Sequence, residues 1–246
     1  MTAEEPFAVG RSDFATTHWS LVISAGRRGA PESSSALAQL CAVYWYPIYA
    51  YVRRRVDDVH EAQDLTQAFF EQLLERRPFE AADPERGRFR CFLLTACQRF
   101  LINEWHKGQA VKRGGGRRPL SLDFDSGESR LGLVAADTRT AEQSYERQWA
   151  ISVLERVMER LRALYNAKDR LRYFDALRPF LAGSPQRHGY AEAARKLGIS
   201  ETTAKVAAHR MRKHYRDLLH TEIAQTVERS EEIGDEIREL FAALGK

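Results

Sequence analysis

Residues 190–215, YAEAARKLGISETTAKVAAHRMRKHY, constrain this chain more than any other stretch. They read as two short helices around a tight turn. The first helix spans about Tyr190 to Leu197. Gly198 stands where a helix stops, because only glycine takes a left-handed backbone cheaply. Ile199 can plug the corner, and Ser200 can cap the second helix by accepting from its orphan N–H groups. In that second helix Ala204, Ala208, Met211, Tyr215 and Leu218 recur at steps of four and three, which makes one buried stripe. Thr202, Thr203, Lys205, Val206, His209, Arg210 and Lys213 lie off the stripe. This is the pattern of a helix-turn-helix, whose second helix enters the DNA major groove. Between Gln186 and Arg216, eight basic residues stand against two acidic ones, a net of +6. Such density suits phosphate neutralisation. The bland alternative is a helical hairpin with a solvated basic face.

The rest of the chain is read around that motif. With 246 residues it has room for one or two domains and a real core. It holds 8 prolines and 15 glycines, and strand-like alternation is scarce, so an all-α chain is expected. Cys41, Cys91 and Cys97 are an odd set with no close pair, which argues against disulfides or a zinc site and for core thiols in a reducing compartment. The N-terminus has no basic-then-apolar leader. No apolar run approaches the ~20 residues a membrane span needs. A cytoplasmic protein is expected.

Taken in order, Thr16-Thr17 precede HWSLVISAG, a short capped helix that serves as a packing arm. A helix starts near Ser34 or Ser35, is kinked or restarted by Pro47, and ends in Arg53, Arg54 and Arg55, where cations oppose the helix dipole. DVHEAQDLTQAFFEQLLERR forms the next helix, with Leu65, Phe69 and Leu73 on one side. Asp64, Gln67 and Glu71 share another side, which is either solvated or a protein-docking face. Pro78 and AADPERG form a loop. RFRCFLLTACQRFLINEWHK is apolar on one side through Phe89, Phe92, Leu93, Ala96 and Phe100. Its other side carries Arg88, Arg90, Gln98, Arg99, Asn103, Trp105, His106 and Lys107. Aromatics beside cations suit unstacked bases, although ordinary exposed residues look the same. Gly108 to Thr140 is glycine-rich and basic, then polar, and reads as a flexible linker. From Ser144 the helical period returns with Trp149, Val153, Val157, Leu161 and Leu164. DRLRYFDALRPFLAG forms another helix before the helix-turn-helix. The acidic tail could make one more amphipathic helix through Ile233, Ile237, Leu240 and Leu244.

Three blocks in this order resemble the bacterial RNA polymerase sigma factors of the sigma-70 family, in particular the small extracytoplasmic-function, or group IV, type. YWYPIYAYVRRRVDDVHEAQDLTQAFFEQLL resembles the first part of region 2. DPERGRFRCFLLTACQRFLINEWHK resembles its melting and promoter-reading part. YAEAARKLGISETTAKVAAHRMRKHY resembles region 4. The resemblance implies two helical domains on a flexible linker: an N-terminal arm at 1–33, region 2 at 34–108, a linker at 109–143, region 4 at 144–221, and an acidic extension at 222–246.

It also implies jobs for faces that periodicity leaves open. Asp64, Leu65, Gln67 and Glu71 would dock on the clamp coiled coil of core RNA polymerase. Region 4 would sit near the polymerase flap. Arg88, Arg90, Gln98, Arg99, Asn103, Trp105, His106 and Lys107 would open the minus-ten element and hold flipped bases. The family's usual Arg-Asn pair stands here as Gln98-Arg99, and its usual Asp as Asn103. Thr202, Thr203, Lys205, Val206, His209 and Arg210 would read the minus-thirty-five element, with Arg212 and Lys213 on phosphates. The partners implied are core polymerase and promoter DNA, with an anti-sigma factor as a candidate third and no membrane. No cofactor or catalysis is implied. The sequence agrees on the last point, since no phosphate loop, nucleophile elbow, HExxH or clustered metal ligands occur. His209, His214 and His220 are spaced by five and six, which does not converge on one helical face. The competing reading is a stand-alone helix-turn-helix regulator, which leaves the Asp64/Gln67 face without a job.

Overall fold

The computed structural model describes residues 43–76, 88–108, 122, 124, 127, 139–181, 189–227 and 229–245; at 74–76, 107 and 108 this covers the backbone only. The expected arm helix, the start of the helix near Ser34, the AADPERG loop and most of the linker lie outside these residues. Helices and turns make up the described part, and no strand occurs in it. The chain is all-α there, as its periodicity predicts.

Among the described residues eight α-helices can be bounded: α1 (43–53), α2 (Val59–Arg76), α3 (Phe89–Gly108), α4 (Ala141–Asn166), α5 (Leu171–Leu177), α6 (Gly189–Leu197), α7 (Glu201–Ala224) and α8 (Ile233–Gly245). α1 is apolar on all sides. Val43, Tyr44, Tyr46, Ile48, Tyr49, Tyr51 and Val52 are all buried, so it is the central rod of its core rather than a surface helix. It runs through Pro47 without a break in the helix, where a kink or restart is expected from the sequence. Arg53 then donates to the carbonyls of Val56 (3.0 Å) and Asp57 (3.1 Å), which satisfies acceptors just past the helix end. Asp58 caps α2 by accepting from the N–H of Glu61 at 2.7 Å.

α4 is the spine of the molecule. It begins in a capping box: Thr140 accepts from the Gln143 N–H at 3.2 Å while Gln143 accepts from the Thr140 N–H at 3.0 Å. At 26 residues it is about 39 Å long. Its buried stripe, Tyr145, Trp149, Val153 and Val157, packs in a first cluster with α1, α2, α3, the far end of α7 (Leu219, Ile223) and α8 (Ile233, Leu240). One turn further, Leu161 and Tyr165 enter a second cluster with Phe174, Leu177, Phe180, Ala193, Ala208 and Met211. The two cores therefore divide within α4 and α7, which both run through each of them. The acidic tail helix belongs to the first core. Leu122 and Phe124, inside the polar half of the expected linker, also pack against it. Phe124 lies edge-on to Tyr49 and Trp45, with ring centroids 5.1 and 5.9 Å away.

The turn of the helix-turn-helix has the expected chemistry. Gly198 takes φ +68, and the Ile199 N–H returns to the Ala194 carbonyl at 3.1 Å. Ser200 accepts from the Thr203 N–H at 3.1 Å. A Cβ at Gly198 would meet nothing within 4 Å. Gly198→Ala is therefore a pure backbone test, and we expect a loss of about 1–2 kcal/mol in a urea titration, with Gly198→Asn costing less.

Candidate nucleic-acid interface

Three surfaces, on α2, α3 and α7, collect most of the residues expected to meet polymerase or DNA, and Arg88 and Arg90 are drawn away from them into ion pairs. On α2, Asp64 is exposed while Gln67 and Glu71 are half-buried; the Gln67 amide donates to the Glu71 carboxylate at 3.1 Å. Their spacing of three and four puts them on one side of the helix. Leu65 points elsewhere and packs against the first core. The side formed is acidic and amide-bearing, suited to a cationic or hydrogen-bonding protein partner.

The C-terminal half of α3 exposes Arg99, Asn103, Trp105 and His106, with Gln98 half-buried beside them; the side chain of Lys107 lies outside the described residues. Trp105 is 44% exposed. Ile102, which the sequence reading passed over, is 49% exposed between Arg99 and Trp105 at steps of three. An aromatic, an isoleucine, a guanidinium and an amide on one open strip can stack against and hydrogen-bond unpaired bases. The signal for Ile102 was its offset by one position from the buried Phe100-Leu101 pair.

Arg90, by contrast, is not on that exposed side. It is 4% exposed. It shares the inward stripe of Leu93, Cys97 and Leu101, at steps of three and four, and the guanidinium lies 4.5 Å from the Trp149 ring centroid. Its Nε donates to Glu236 at 2.8 Å, and its two terminal nitrogens pair with Glu146 and Glu239. Tyr145, fully buried, donates to the Arg90 carbonyl at 2.9 Å. Burial alone would lower the Arg90 pKa; the hydrogen bond to Glu236 and the charges of Glu146 and Glu236 outweigh it and leave it raised. Arg88 is half-buried and ties to the same helix, to Glu236 at 2.7 Å and to Glu239. The reason is electrostatic: a guanidinium this deep requires carboxylates, and the tail helix supplies two of the three. Of the cysteines, Cys97 is buried as expected, whereas Cys91 is exposed on the same helix; Cys41 lies outside the described residues.

On α7, Thr202, Thr203, Lys205, Val206, His209, Arg210 and Lys213 are exposed, while Ala204, Ala208 and Met211 are buried. Val206 is 48% exposed at the middle of this face. Lys205 pairs with Glu201 at 2.7 Å and lies 5.9 Å from the Tyr190 ring centroid. Both partners of that pair are about half exposed, so it contributes little and is easily exchanged for a phosphate. Arg212 is turned towards α6, half-buried, with a terminal nitrogen 3.4 Å from the Tyr190 hydroxyl. It flanks the exposed face rather than lying on it. Thr203 has a second task, since its N–H and hydroxyl both engage the Ser200 cap. On the opposite flank, Lys168, Arg170, Arg210 and His214 surround a cavity of ≈ 230 Å³ with Tyr165 and Tyr173. Burial, then the charge of Lys168, holds the His214 pKa below its ordinary value.

Among the described residues no three His, Cys, Asp or Glu side chains are grouped to hold a metal ion, and no helix is long and apolar enough to cross a membrane. Comparison with known proteins gives one family match: residues 46–111 fit the model of Sigma-70 region 2, just over a quarter of the 246 residues. No curated protein matches the chain, and no solved structure does. The matched range holds α2, α3 and most of α1, together with both the acidic side of α2 and the open strip of α3. Over residues 46–111 the chain is thus similar to Sigma-70 region 2, a match that supports a sigma-70 family sigma factor and with it RNA polymerase binding and promoter melting.

Proposed function

We propose that this chain is a sigma factor of the extracytoplasmic-function type, acting in the cytoplasm. It binds core RNA polymerase through α2, holds the non-template strand of the minus-ten element on the outer strip of α3, and seats α7 in the duplex of the minus-thirty-five element. The observation that carries the reading is the pairing, in one chain, of the region 2 match at 46–111 with a capped helix-turn-helix at 189–224 whose outward face is basic. The mechanism is physical. Melting costs a few kcal/mol per unstacked step, and bases captured on Arg99, Ile102, Asn103, Trp105 and His106 offset it. The domains at 34–108 and 144–221 divide that labour, and an anti-sigma factor remains a candidate partner. The chain itself performs no covalent chemistry in this reading.

The test is reconstitution. The chain should be retained by core polymerase and should direct transcription from a subset of a promoter library. Asp64→Ala with Gln67→Ala should reduce core retention about 10-fold or more, on the scale of one interface hot spot, while leaving duplex binding intact. A chain that grips duplex DNA but is never retained by core would instead be a stand-alone regulator.

A further inference from the structure

The carboxylates of α8 occupy the two arginines that lead into the strand-binding helix of region 2. We infer that α8 is an intramolecular competitor for anionic DNA, so that the free chain is a closed form and strand capture releases the tail. This inference rests on the sigma-factor reading for the identity of the competing ligand. Its structural basis does not.

Three observations support it. First, Arg88 and Arg90 lie inside the matched region 2 range, whereas Glu236 and Glu239 lie more than a hundred residues outside it. Second, the local charge is over-neutralised. Two guanidiniums face Glu146, Glu236 and Glu239, a net of −1, and withdrawal of α8 leaves both arginines with Glu146 alone, a net of +1. A polyanion is repelled by the first arrangement and attracted by the second. Third, the clasp is asymmetric. Arg90 is also fixed by Trp149 and Glu146 of α4, so it stays anchored when α8 leaves. The partners shown for Arg88 are both on α8, and it is 21% exposed already, so it is the residue set free. Replacing one set of oxygens by another on the same guanidinium is a near-balanced exchange. A buried ion cluster of this kind adds little net stability over an apolar equivalent, and it acts well as a switch. On the other side of the balance, α8 buries Ile233 and Leu240, and Arg147 holds its last turn through the Leu244 carbonyl at 3.0 Å. The tail is therefore closed by default.

The full-length chain should be compared with its Glu236→Gln/Glu239→Gln double variant, using a fluorescein-labelled random-sequence single strand as the probe over roughly 50 to 200 mM salt. The double variant should bind about fivefold tighter at roughly 0.1 M salt, with a salt slope steeper by about 0.7, the effect of one added single-strand phosphate. Adding Arg88→Ala to it should remove the gain. A double variant that melts like wild type yet binds no tighter overturns the proposal. If the variant fails to fold, wild-type hydrogen exchange decides: α8 amides should exchange faster when saturating single strand is added, and unchanged α8 protection overturns it equally. Core-polymerase retention of the same proteins reports on the sigma reading separately, because the α2 face is untouched by these changes.

Discussion

Arg90→Ala should remove roughly 3–5 kcal/mol from the folding stability, the range found when one partner of a buried ion pair is deleted. The guanidinium joins α3 to Glu146 of α4 and to Glu236 and Glu239 of α8, beneath the face of Trp149. Alanine leaves Glu236, itself fully buried, with Arg88 as its remaining cation, and opens a cavity under the indole. Urea titration monitored by tryptophan fluorescence should show an earlier midpoint, and α8 should lose exchange protection first. Arg90→Lys should recover only part of the loss, since an ammonium cannot present a planar fork to several carboxylates. The informative control is Arg90→Met with Glu236→Leu. Glu146 and Glu239 are partly solvated, and Arg88 keeps Glu239, so the apolar pair should restore most of the stability. A near-zero effect of Arg90→Ala would mean that the tail helix is not seated on α3.

This cluster also marks where sequence reasoning stopped. The helices themselves were legible, because apolar residues at steps of three and four define them and a burial pattern follows directly: Trp149, Val153, Val157 and Leu161 are all buried as their spacing requires. The Gly198–Ser200 turn was legible for a different reason, since glycine and serine there have specific backbone tasks. Arg90 was assigned to the solvent side because it is charged, although its position relative to Leu93, Cys97 and Leu101 placed it on the buried stripe. The same sign was present in the tail. Glu236 lies three residues after Ile233 and four before Leu240, in the middle of the apolar face of α8. A cation inside one apolar stripe and an anion inside another are each expensive alone and tolerable together. Which helix meets which is a tertiary fact that no local period contains. Ile102 is the opposite case: an apolar residue with no place in the pattern read from the sequence stands on the open strip.

Lys205→Ala with Arg210→Ala should weaken binding to duplex containing the minus-thirty-five element by about 10- to 100-fold, from 1–3 kcal/mol per lost cation contact less the overlap between neighbours. Neither side chain supports the fold. Both are exposed, and the single ion pair of Lys205 is an exposed one to Glu201 one helical turn back. Stability should therefore move by less than about 0.5 kcal/mol, which separates a binding defect from a folding defect. The two positions should also differ in kind. Arg210 can present a bidentate fork to a guanine edge, so its loss should relax sequence preference at one base pair as well as affinity. Lys205 beside the Tyr190 ring is a point charge, so its loss should act evenly across sequences and flatten the salt slope by about 0.9, the value for one duplex phosphate. Core-polymerase retention should be unchanged in both, because α2 packs on the first core and keeps its acidic side outward, whereas α7 presents these residues beside the second. If the double variant instead lost core retention and kept duplex affinity, the assignment of DNA to α7 and polymerase to α2 would have to be reversed.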